Sequence, residues 1–545
     1  MKKILVFCSL ICMGFMFGSC EDFLQKDPPS SPSESIFWQK KADYENALTA
    51  CYSVMLDYGF CSDMVACFDN LTDNALCQFD DGWYGHTKKM MTGDIYSTTG
   101  GFQSDVFYGS FKAISRCNLF LDKLSEYQGT DISESERTYM TAQAKALRAY
   151  FYHWLYFCYK EVPVFTHFLS LDEQYQPKAT RQEIYDQIMK DFSEAAEALN
   201  EDTYMVAKGR FTKGACYAYM ARVTMFNAYC DGNGIPTGIA RSDEMKKVLE
   251  YCNEVKGYQL DENLRTAFIE ELQPNSTEMI FSARYAAPNL TNSVNVAYCA
   301  WSSTMIQRNL VDAYECTDGQ DWGVSPLSVY VDEDLLLSTT ADKDAVRDER
   351  EKLFTNRDAR MSASIISSSV YRFPELPDYP NNAVYYGNEP GFTGFGVFRF
   401  IQPFKQDELP LNSICGPDIN MMRYAHVLLM IAEAENEVNG PTSKAYDAIN
   451  QVRVRAGQPE LPQGLSREQF REKVRKEWRI ETVLEGWRYF QLKAWNKLKD
   501  VPAIVAKEKR YTVAAVYEDR FVFWPLPQEE IDKANGIMTQ DPAYE

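Results

Sequence analysis

The sequence has few of the residues from which hydrolytic active sites are commonly built. Among its 545 residues there are only four histidines, His86, His153, His167 and His426. It contains neither the HExxH pattern of zinc proteases nor the GxSxG turn of serine hydrolases. These absences argue against zinc-dependent hydrolysis and against catalysis by a serine triad.

Glycine-rich loops for phosphate-bearing cofactors are missing as well. Residues Gly209 to Gly214 have the GxxxxG spacing of a phosphate loop, but Ala215 and Cys216 follow where lysine and serine or threonine are required. We therefore predict that the chain binds no cofactor and no metal.

The chain also lacks positive charge. It has 56 basic against 77 acidic side chains, a formal net charge of −21. A field of this sign repels phosphate backbones and other polyanions, so nucleic acid is excluded as an expected partner. Sulfated and uronic-acid polymers are disfavoured for the same reason, which leaves neutral ligands.

Only one long apolar run occurs, and it lies at the N-terminus. Lys2 and Lys3 precede the run Ile4–Phe17, which is shorter than the roughly 20 residues needed to span a bilayer. Two small residues and Cys20 follow, an arrangement that resembles the lipobox of bacterial lipoproteins. We predict a signal peptide over residues 1–19 and lipid attachment at Cys20; an ordinary cleaved signal is the alternative.

Cysteine pairs with metal or redox spacing are absent. The 15 cysteines include no CxxC pair, and many lie in aromatic or small-residue runs where a thiol acts as a small apolar group. We predict buried free thiols for most of them. Cys61, Cys67 and Cys77 are the expected exceptions, because they flank a loop.

Aromatic residues, in contrast, are abundant at 14% of the chain. Three segments, Ala142–Tyr159, Thr212–Tyr229 and Asn420–Val438, mix alanine with large rings and aliphatic residues in a helical pattern. The first two lie close to two tetratricopeptide periods apart, at about 34 residues each. The pattern predicts a mainly α protein, a tetratricopeptide-like helical-repeat superhelix, with Thr180 as the N-cap of an intervening helix.

The composition changes along the chain and suggests its division. Residues between about 257 and 417 are rich in Gly, Pro, Asn and Ser and contain short β-prone pieces at Met279–Ala283 and Val397–Ile401, which is typical of a loop-rich lobe inserted into a helical body. Helices are expected again at 443–455 and 466–495. The predicted parts are a signal peptide (1–19), a lipidated N-terminus and flexible tether (20–35), an N-terminal helical-repeat body (36–256), an inserted ligand-binding lobe (257–417) and the C-terminal helical part of the same body (418–545).

One group of carboxylates could in principle hydrolyse glycosides. Glu477, Glu481 and Glu485 are spaced four residues apart and would share a helix face, with Arg488 on the same side. Like charges at this spacing repel unless cations lie between them. We favour a packed ion network beside the nearby tryptophans over a catalytic pair.

Seven segments, taken in order, resemble the SusD/RagB family of outer-membrane nutrient-binding lipoproteins, and they cover nearly the whole mature chain. They are AKALRAYFYHWLYFCYKEVPV (144–164), TRQEIYDQIMKDFSEA (180–195), GRFTKGACYAYMARV (209–223), RYAHVLLMIAEAEN (423–436), AINQVRVRAG (448–457), RKEWRIETVLEGWRYFQLKAW (475–495) and WPLPQEEIDKANGIMTQDPAY (524–544).

The resemblance implies a non-enzymatic receptor at the cell surface, attached to the outer membrane by its lipid. Such proteins are similar to lids over SusC-like TonB-dependent transporters and capture oligosaccharides, or less often peptides. The alternatives are a surface glycoside hydrolase, a peptide-binding RagB-like receptor and a helical-repeat scaffold for protein assembly.

Candidate ligand residues lie outside the matching segments. Sugars present apolar C–H faces that stack on rings and hydroxyl groups that need planar hydrogen-bond partners. Three clusters combine rings with Asp, Asn or Arg, and loops early in the chain and in the inserted lobe are where the family commonly binds ligands. The predicted ligand-binding residues are Asp80, Asp81, Trp83 and Tyr84 in the first cluster, Asn295, Tyr298, Trp301 and Arg308 in the second, and Trp322 in the third.

Overall fold

The structure is a computed structural model that describes residues 37–57, 61–207, 209–367, 370–371, 383–384, 392–403 and 414–545. The predicted signal peptide, Cys20 and the tether to residue 35 lie outside the described residues. Within the described ranges, no helix combines the length and apolar character that a membrane span requires.

Helices begin where the sequence offers side chains that can cap them. Thr180 accepts a hydrogen bond from the backbone N–H of Glu183, whose carboxylate accepts one in return from the backbone N–H of Thr180, so the predicted N-cap is confirmed. Ser133 and Glu136 form the same reciprocal pair. The helices of the N-terminal part are α1 (Lys41–Ser53), α2 (Gly82–Met91), α3 (Phe102–Glu126), α4 (Glu134–Cys158), α5 (Arg181–Ala198), α6 (Lys213–Ala228) and α7 (Ser242–Asn253).

The middle of the chain contains short elements separated by loops. A π-helical turn occupies Asn295–Ala300. The helices there are α8 (Arg308–Ala313), α9 (Glu333–Leu337), α10 (Lys343–Glu351) and α11 (Ala359–Ser364), and those of the C-terminal part are α12 (Tyr424–Asn439), α13 (Ser443–Arg455), α14 (Arg467–Glu481), α15 (Arg488–Ala494), α16 (Val501–Val505) and α17 (Gln528–Lys533). Short 3₁₀ turns lie at Val54–Leu56, Val65–Leu71, Thr266–Phe268, Gln273–Asn275, Lys352–Phe354, Leu498–Asp500, Asp519–Val522 and Pro542–Tyr544.

Short antiparallel strands join distant parts of the chain. The strands are β1 (Ala75–Leu76), β2 (Met279–Ala283), β3 (Met305–Ile306), β4 (Ile365–Ile366), β5 (Val370–Tyr371), β6 (Ala383–Val384), β7 (Gly396–Val397) and β8 (Ile419–Arg423). One sheet has the order β1-β3-β7-β4, with Ala75 opposite Ile306, and two others pair β2 with β8 and β5 with β6. The first sheet therefore connects the segment before α2 to the middle of the chain.

The helices form a continuous array in which α3 packs on α4, α4 on α5, α5 on α6 and α6 on α7. α7 then packs directly on α12, and α12 on α13 and α14, so the array continues although residues 254–423 separate α7 from α12 in the sequence. The predicted mainly helical, tetratricopeptide-like fold is confirmed.

Three details of the secondary structure differ from the prediction. The segment Asn420–Arg423 is part of strand β8 and not the start of a helix, because it pairs with β2; the β-prone piece at 397–401 contributes only Val397 to a strand. The expected helix over 466–495 is interrupted after Glu481. Leu484 and Gly486 have φ values of 67° and 74° there, and this left-handed backbone ends the helix.

The cysteines that flank the early loop do not differ from the other cysteines, contrary to the prediction. Cys61, Cys67 and Cys77 form no disulfide bond and are buried, like the other cysteines in the described part of the chain. The loop between them is packed inside the protein, where 3₁₀ residues 65–71 are buried throughout. Burial raises the pKa of Cys77 to about 11, so its thiol is protonated at neutral pH.

A buried ion cluster joins the middle of the chain to the C-terminal helices. Arg423 donates to the carboxylates of Glu278, Glu481 and Glu485 at 2.5–2.8 Å, and its side chain is 2% exposed. Five arginines and five carboxylates belong to this cluster, and its Arg453 also pairs with Glu315 at 2.9 Å. The ion cluster consists of Arg360, Arg399, Arg423, Arg453, Arg455, Asp358, Glu278, Glu477, Glu481 and Glu485.

This cluster supports the structural interpretation of Glu477, Glu481 and Glu485. Burial opposes the ionisation of Glu481 and Glu485, but the surrounding arginines outweigh it and lower both pKa values. A catalytic acid needs a raised pKa instead. Arg488, which we expected beside Glu485, pairs with Asp73 at 2.8 Å, because the turn after Glu481 directs it away.

Replacing Arg423 by methionine should strongly destabilise the fold. The change would leave Glu278, Glu481 and Glu485 with too few cations in a buried environment, and breaking a buried pair costs about 3–5 kcal/mol. Urea unfolding of Arg423→Met and of Arg347→Met measures the difference. Arg347 pairs with Asp344 and Asp348 on the surface, where water screens the charges, so its loss should cost far less. Equal effects of the two substitutions would contradict a special role for the cluster.

Candidate functional site

The first and second predicted clusters meet at one aromatic surface. The ring of Tyr84, in α2, lies 5.3 Å from that of Trp83 and 6.2 Å from that of Trp301, both edge-on. Tyr84 is buried, Trp83 is partly buried and Trp301 is 45% exposed. We call these three residues the Trp301 platform, because Trp301 presents the most ring surface to solvent.

Neighbouring groups hold the platform in place. The indole N–H of Trp83 donates to Asp105 Oδ2 at 2.6 Å, and its ring packs edge-on against Phe102 at 5.5 Å. Burial raises the pKa of Asp105, and the hydrogen bond from Trp83 opposes the shift. The side chain of Gln78 donates to the carbonyl of Trp301. An exposed ring on a fixed support loses little conformational freedom when a ligand stacks on it.

Asn295 and Tyr298, predicted as ligand residues, instead support the turn that carries Trp301. Asn295 exchanges two hydrogen bonds with the backbone of Gln402, at 3.2 and 2.8 Å. The hydroxyl of Tyr298 donates to the carbonyl of Asp63 at 2.6 Å. Both side chains are almost completely buried, so the structure does not bring them to the surface with Trp301. Their spacing on the π-helical turn points them into the core.

Asp80 and Asp81 lie at the exposed start of α2. Asp80 accepts from Lys88 Nζ at 2.6 Å and Asp81 from Lys89 Nζ at 3.0 Å. Burial opposes the charge of Lys88, but its hydrogen bonds with Asp80 and Tyr511 outweigh the burial and raise its pKa. The two carboxylates are exposed and pair with lysines of α2. Hydroxyl groups of a ligand can therefore reach them from the solvent.

Arg308 and Trp322 line a groove of about 330 Å³ beside the platform. The guanidinium of Arg308 lies 5.4 Å from the centre of the Trp322 ring and donates to Glu333 at 2.9 Å. The segment 507–511, which includes Tyr511, also lines it. We call this cavity the Trp322 groove.

Helix α2 connects the platform to the groove. Tyr84 touches Trp301, and Lys88, one turn later on the same face, donates to the Tyr511 hydroxyl at 2.9 Å. The exposed ring of Phe392 lies 5.3 Å from the ring of Tyr511. The platform and groove are therefore adjacent parts of one surface.

Sequence reasoning missed the groove wall. Glu508 accepts hydrogen bonds from the backbone N–H groups of Arg308 and Asn309 at 3.1 and 2.9 Å and thereby holds the start of α8. Tyr511 and Phe392 also belong to the surface. These residues lie far from Arg308 in the chain and carry no local pattern, so only the fold could have assigned them.

The described residues contain no group of three or more His, Cys, Asp or Glu side chains placed to hold a metal ion. The polar groups of the site are instead paired donors and acceptors beside rings. This arrangement can bind a ligand that has both apolar faces and hydroxyl groups.

Comparison with known families gives two matches. Residues 268–544 match the SusD family, and residues 22–225 match a family described as starch-binding and associating with the outer membrane. SusD-like protein P38 of Formosa agariphila is 25% identical over 547 residues, which cover 96% of this chain and 95% of the relative.

Solved structures share the fold. A SusD-like protein of Bacteroides fragilis NCTC 9343 superposes with a TM-score of 0.72 at 22% identity and covers 94% of this chain and 99% of its own. A laminarin-binding SusD-like protein gives a TM-score of 0.66 at 20% identity, over 93% of this chain and all of its own.

Proposed function

Because this chain belongs to the SusD family, we propose that it is a receptor for neutral oligosaccharides, which it binds at the Trp301 platform and the adjoining Trp322 groove. The exposed ring of Trp301, held beside Tyr84 and Trp83, is the observation that carries the proposal. Two solved relatives are described as carbohydrate-binding and laminarin-binding, which supports a glycan as the ligand class.

The chemistry of the surface fits a sugar chain. One sugar face would stack on Trp301, and Asp80 and Asp81 are exposed acceptors for hydroxyl groups near the platform. The groove next to it supplies charged donors and acceptors that already satisfy one another, as in the pairs of Arg308 with Asp312 and Glu333. A neutral hydroxyl group can bind to such a pair without leaving either charge uncompensated. The net charge of −21 disfavours polyanionic chains.

Trp301→Ala should weaken oligosaccharide binding about tenfold or more, since stacking on an aromatic ring contributes about 1–3 kcal/mol in the related case of nucleic-acid bases. Calorimetric titration with laminari-oligosaccharides and malto-oligosaccharides measures the affinity. Tyr139→Ala is the matched control, because Tyr139 is similarly exposed, at 41%, on α4 and away from the site. We expect no loss for that variant.

Three results would count against this proposal. Unchanged affinity of Trp301→Ala for a sugar that binds the wild type would refute the platform as the binding site. Release of a shortened sugar during incubation would favour the alternative of a surface glycoside hydrolase. Binding of peptides but of no sugar would favour a RagB-like peptide receptor.

We also propose that the protein is attached to the outer membrane through a lipid on Cys20. Acyl chains contribute about 0.8 kcal/mol per buried CH₂, and two or more of them give stable anchoring. Cys20→Ala should therefore release the protein from the membrane pellet into the soluble fraction of fractionated cells. Membrane association that persists in this variant would contradict the proposal.

The bound sugar would then pass to a SusC-like TonB-dependent transporter, which this receptor would cover as a lid. Mild-detergent purification through a tag on the receptor should co-isolate a much larger outer-membrane protein. Deleting that protein should abolish sugar uptake while the purified receptor still binds sugar. Recovery of the receptor alone in several detergents, with normal uptake in the deletion strain, would refute the delivery step.

A further inference from the structure

A second aromatic cavity lies on the helical array, and none of its lining residues belongs to the Trp301 platform or to the Trp322 groove. It has a volume of about 330 Å³ and is formed by one face of α3, the loop over residues 163–176 and the C-terminal helix α17. The rings of Phe111 and Phe165 lie 5.7 Å apart in its wall. Tyr108 and Phe168 also line it and are 39% and 46% exposed. We call it the Phe111 cavity.

Buried polar groups hold the loop of the cavity against the helices. Asn118 of α3 donates to the carbonyls of Phe165 and His167 at 3.1 and 3.0 Å. Arg148 of α4 donates to the carbonyl of Thr166 at 3.0 Å and is itself held by Asp191 at 2.8 Å. The cavity is thus formed before any ligand arrives, as most small-molecule sites are.

The rim carries polar side chains that suit a polyol. Gln174, Gln176, His167 and Ser115 contribute amide, imidazole and hydroxyl groups beside the rings. The amide N–H of Gln176 donates to the carbonyl of Glu173 at 3.1 Å. A purely apolar ligand would leave these groups without partners, whereas hydroxyl groups would satisfy them.

The charges around the cavity exclude anionic ligands. Glu530 lines it, and the described lining residues include no lysine or arginine. Lys533 pairs with Glu530 at 3.3 Å, and Glu173 lies 3.6 Å from His167 at the rim. Phosphate, sulfate and uronic-acid groups would therefore meet only negative or already paired charges.

We infer that the Phe111 cavity is a second carbohydrate site, which takes one or two neutral sugar units between its rings. Tyr108 and Phe168 provide the exposed stacking surfaces, and the rim amides receive the hydroxyl groups. The volume lies at the lower end of the range for small-molecule sites, about 300–1,000 Å³, and so suits a short ligand. The inference shares its ligand class with the proposed function, but the two sites can be measured separately.

Met538 offers a probe that belongs to this cavity alone. Its side chain is buried and lines the cavity, whereas the platform contains two tryptophans and no methionine. The full-length mature protein would be labelled with ¹³C at the methionine methyl groups, and Met538→Leu would assign the signal. Maltose, cellobiose and laminaribiose would be titrated into the millimolar range. Tryptophan fluorescence would be recorded in parallel for the wild type and for Trp301→Ala, so that the difference between them reports on the platform.

At least one of these disaccharides should shift the Met538 signal saturably, in the wild type and in Trp301→Ala alike. Phe168→Ala and Tyr108→Ala should raise the concentration needed for half-saturation about tenfold, whereas Tyr139→Ala should not. Both substituted rings are exposed, so the unfolding transition should be retained, and its measurement checks this.

The absence of a saturable Met538 shift with all three sugars would overturn the inference. A shift with tetramethylammonium but not with sugars would also overturn it, since that result would identify an aromatic cage for cations. If the sugars shift the Met538 signal but cause no fluorescence change that depends on Trp301, the result would weigh against the proposed function at the platform. It would still support the second site.

Discussion

The arrangement of this molecule depends on the buried ion cluster around Arg423. Removing several charges from water is costly, and the cost is offset only when every charge finds its partners. The partners come from three separate parts of the chain: Glu278 from the residue before β2, Arg360 and Arg399 from the loop-rich middle, and Glu481 and Glu485 from the end of α14 and the turn that follows it. The cluster is complete only when these parts dock in one arrangement, so it selects how the middle of the chain sits on the helical array.

A short series of contacts connects the ion cluster to the proposed ligand surface. Beside the cluster, Arg479 donates to the side chain of Asn74 at 2.8 Å, and Arg488 pairs with Asp73. These contacts fix the segment that enters β1 just before α2, the helix of Trp83 and Tyr84. The backbone N–H of Gln307 donates to the carbonyl of Asn74 at 2.9 Å, which places the start of the Trp322 groove beside the same segment. The platform and groove are therefore positioned from the interior of the protein.

The sequence predicted the helices well because their information is local. Two such signals are the capping pair of Thr180 and Glu183 and the mixture of alanine with large rings. Each can be recognised within the sequence of one or two helical turns. The candidate site was harder, since Trp301 and Tyr298 lie three residues apart in similar surroundings, yet one is exposed and the other is buried. Their difference comes from Asp63, whose carbonyl takes the Tyr298 hydroxyl from 235 residues away in the chain. Tyr511 and Phe392 could not be found at all without the fold.

The residues that position the proposed site and the residues exposed at it differ in how freely they can be substituted. Charges in the cluster cannot be exchanged singly, because each loss leaves a buried partner uncompensated. Trp301 and the exposed carboxylates of Asp80 and Asp81 face no such restriction, since Gln78 holds Trp301 through its backbone carbonyl and the two carboxylates pair with Lys88 and Lys89 of α2. A substitution at these positions would alter what a sugar meets at the proposed site and would leave the core pairing intact. Differences in ligand preference can therefore reside in the rim of the site, while the interior that positions the rim stays the same.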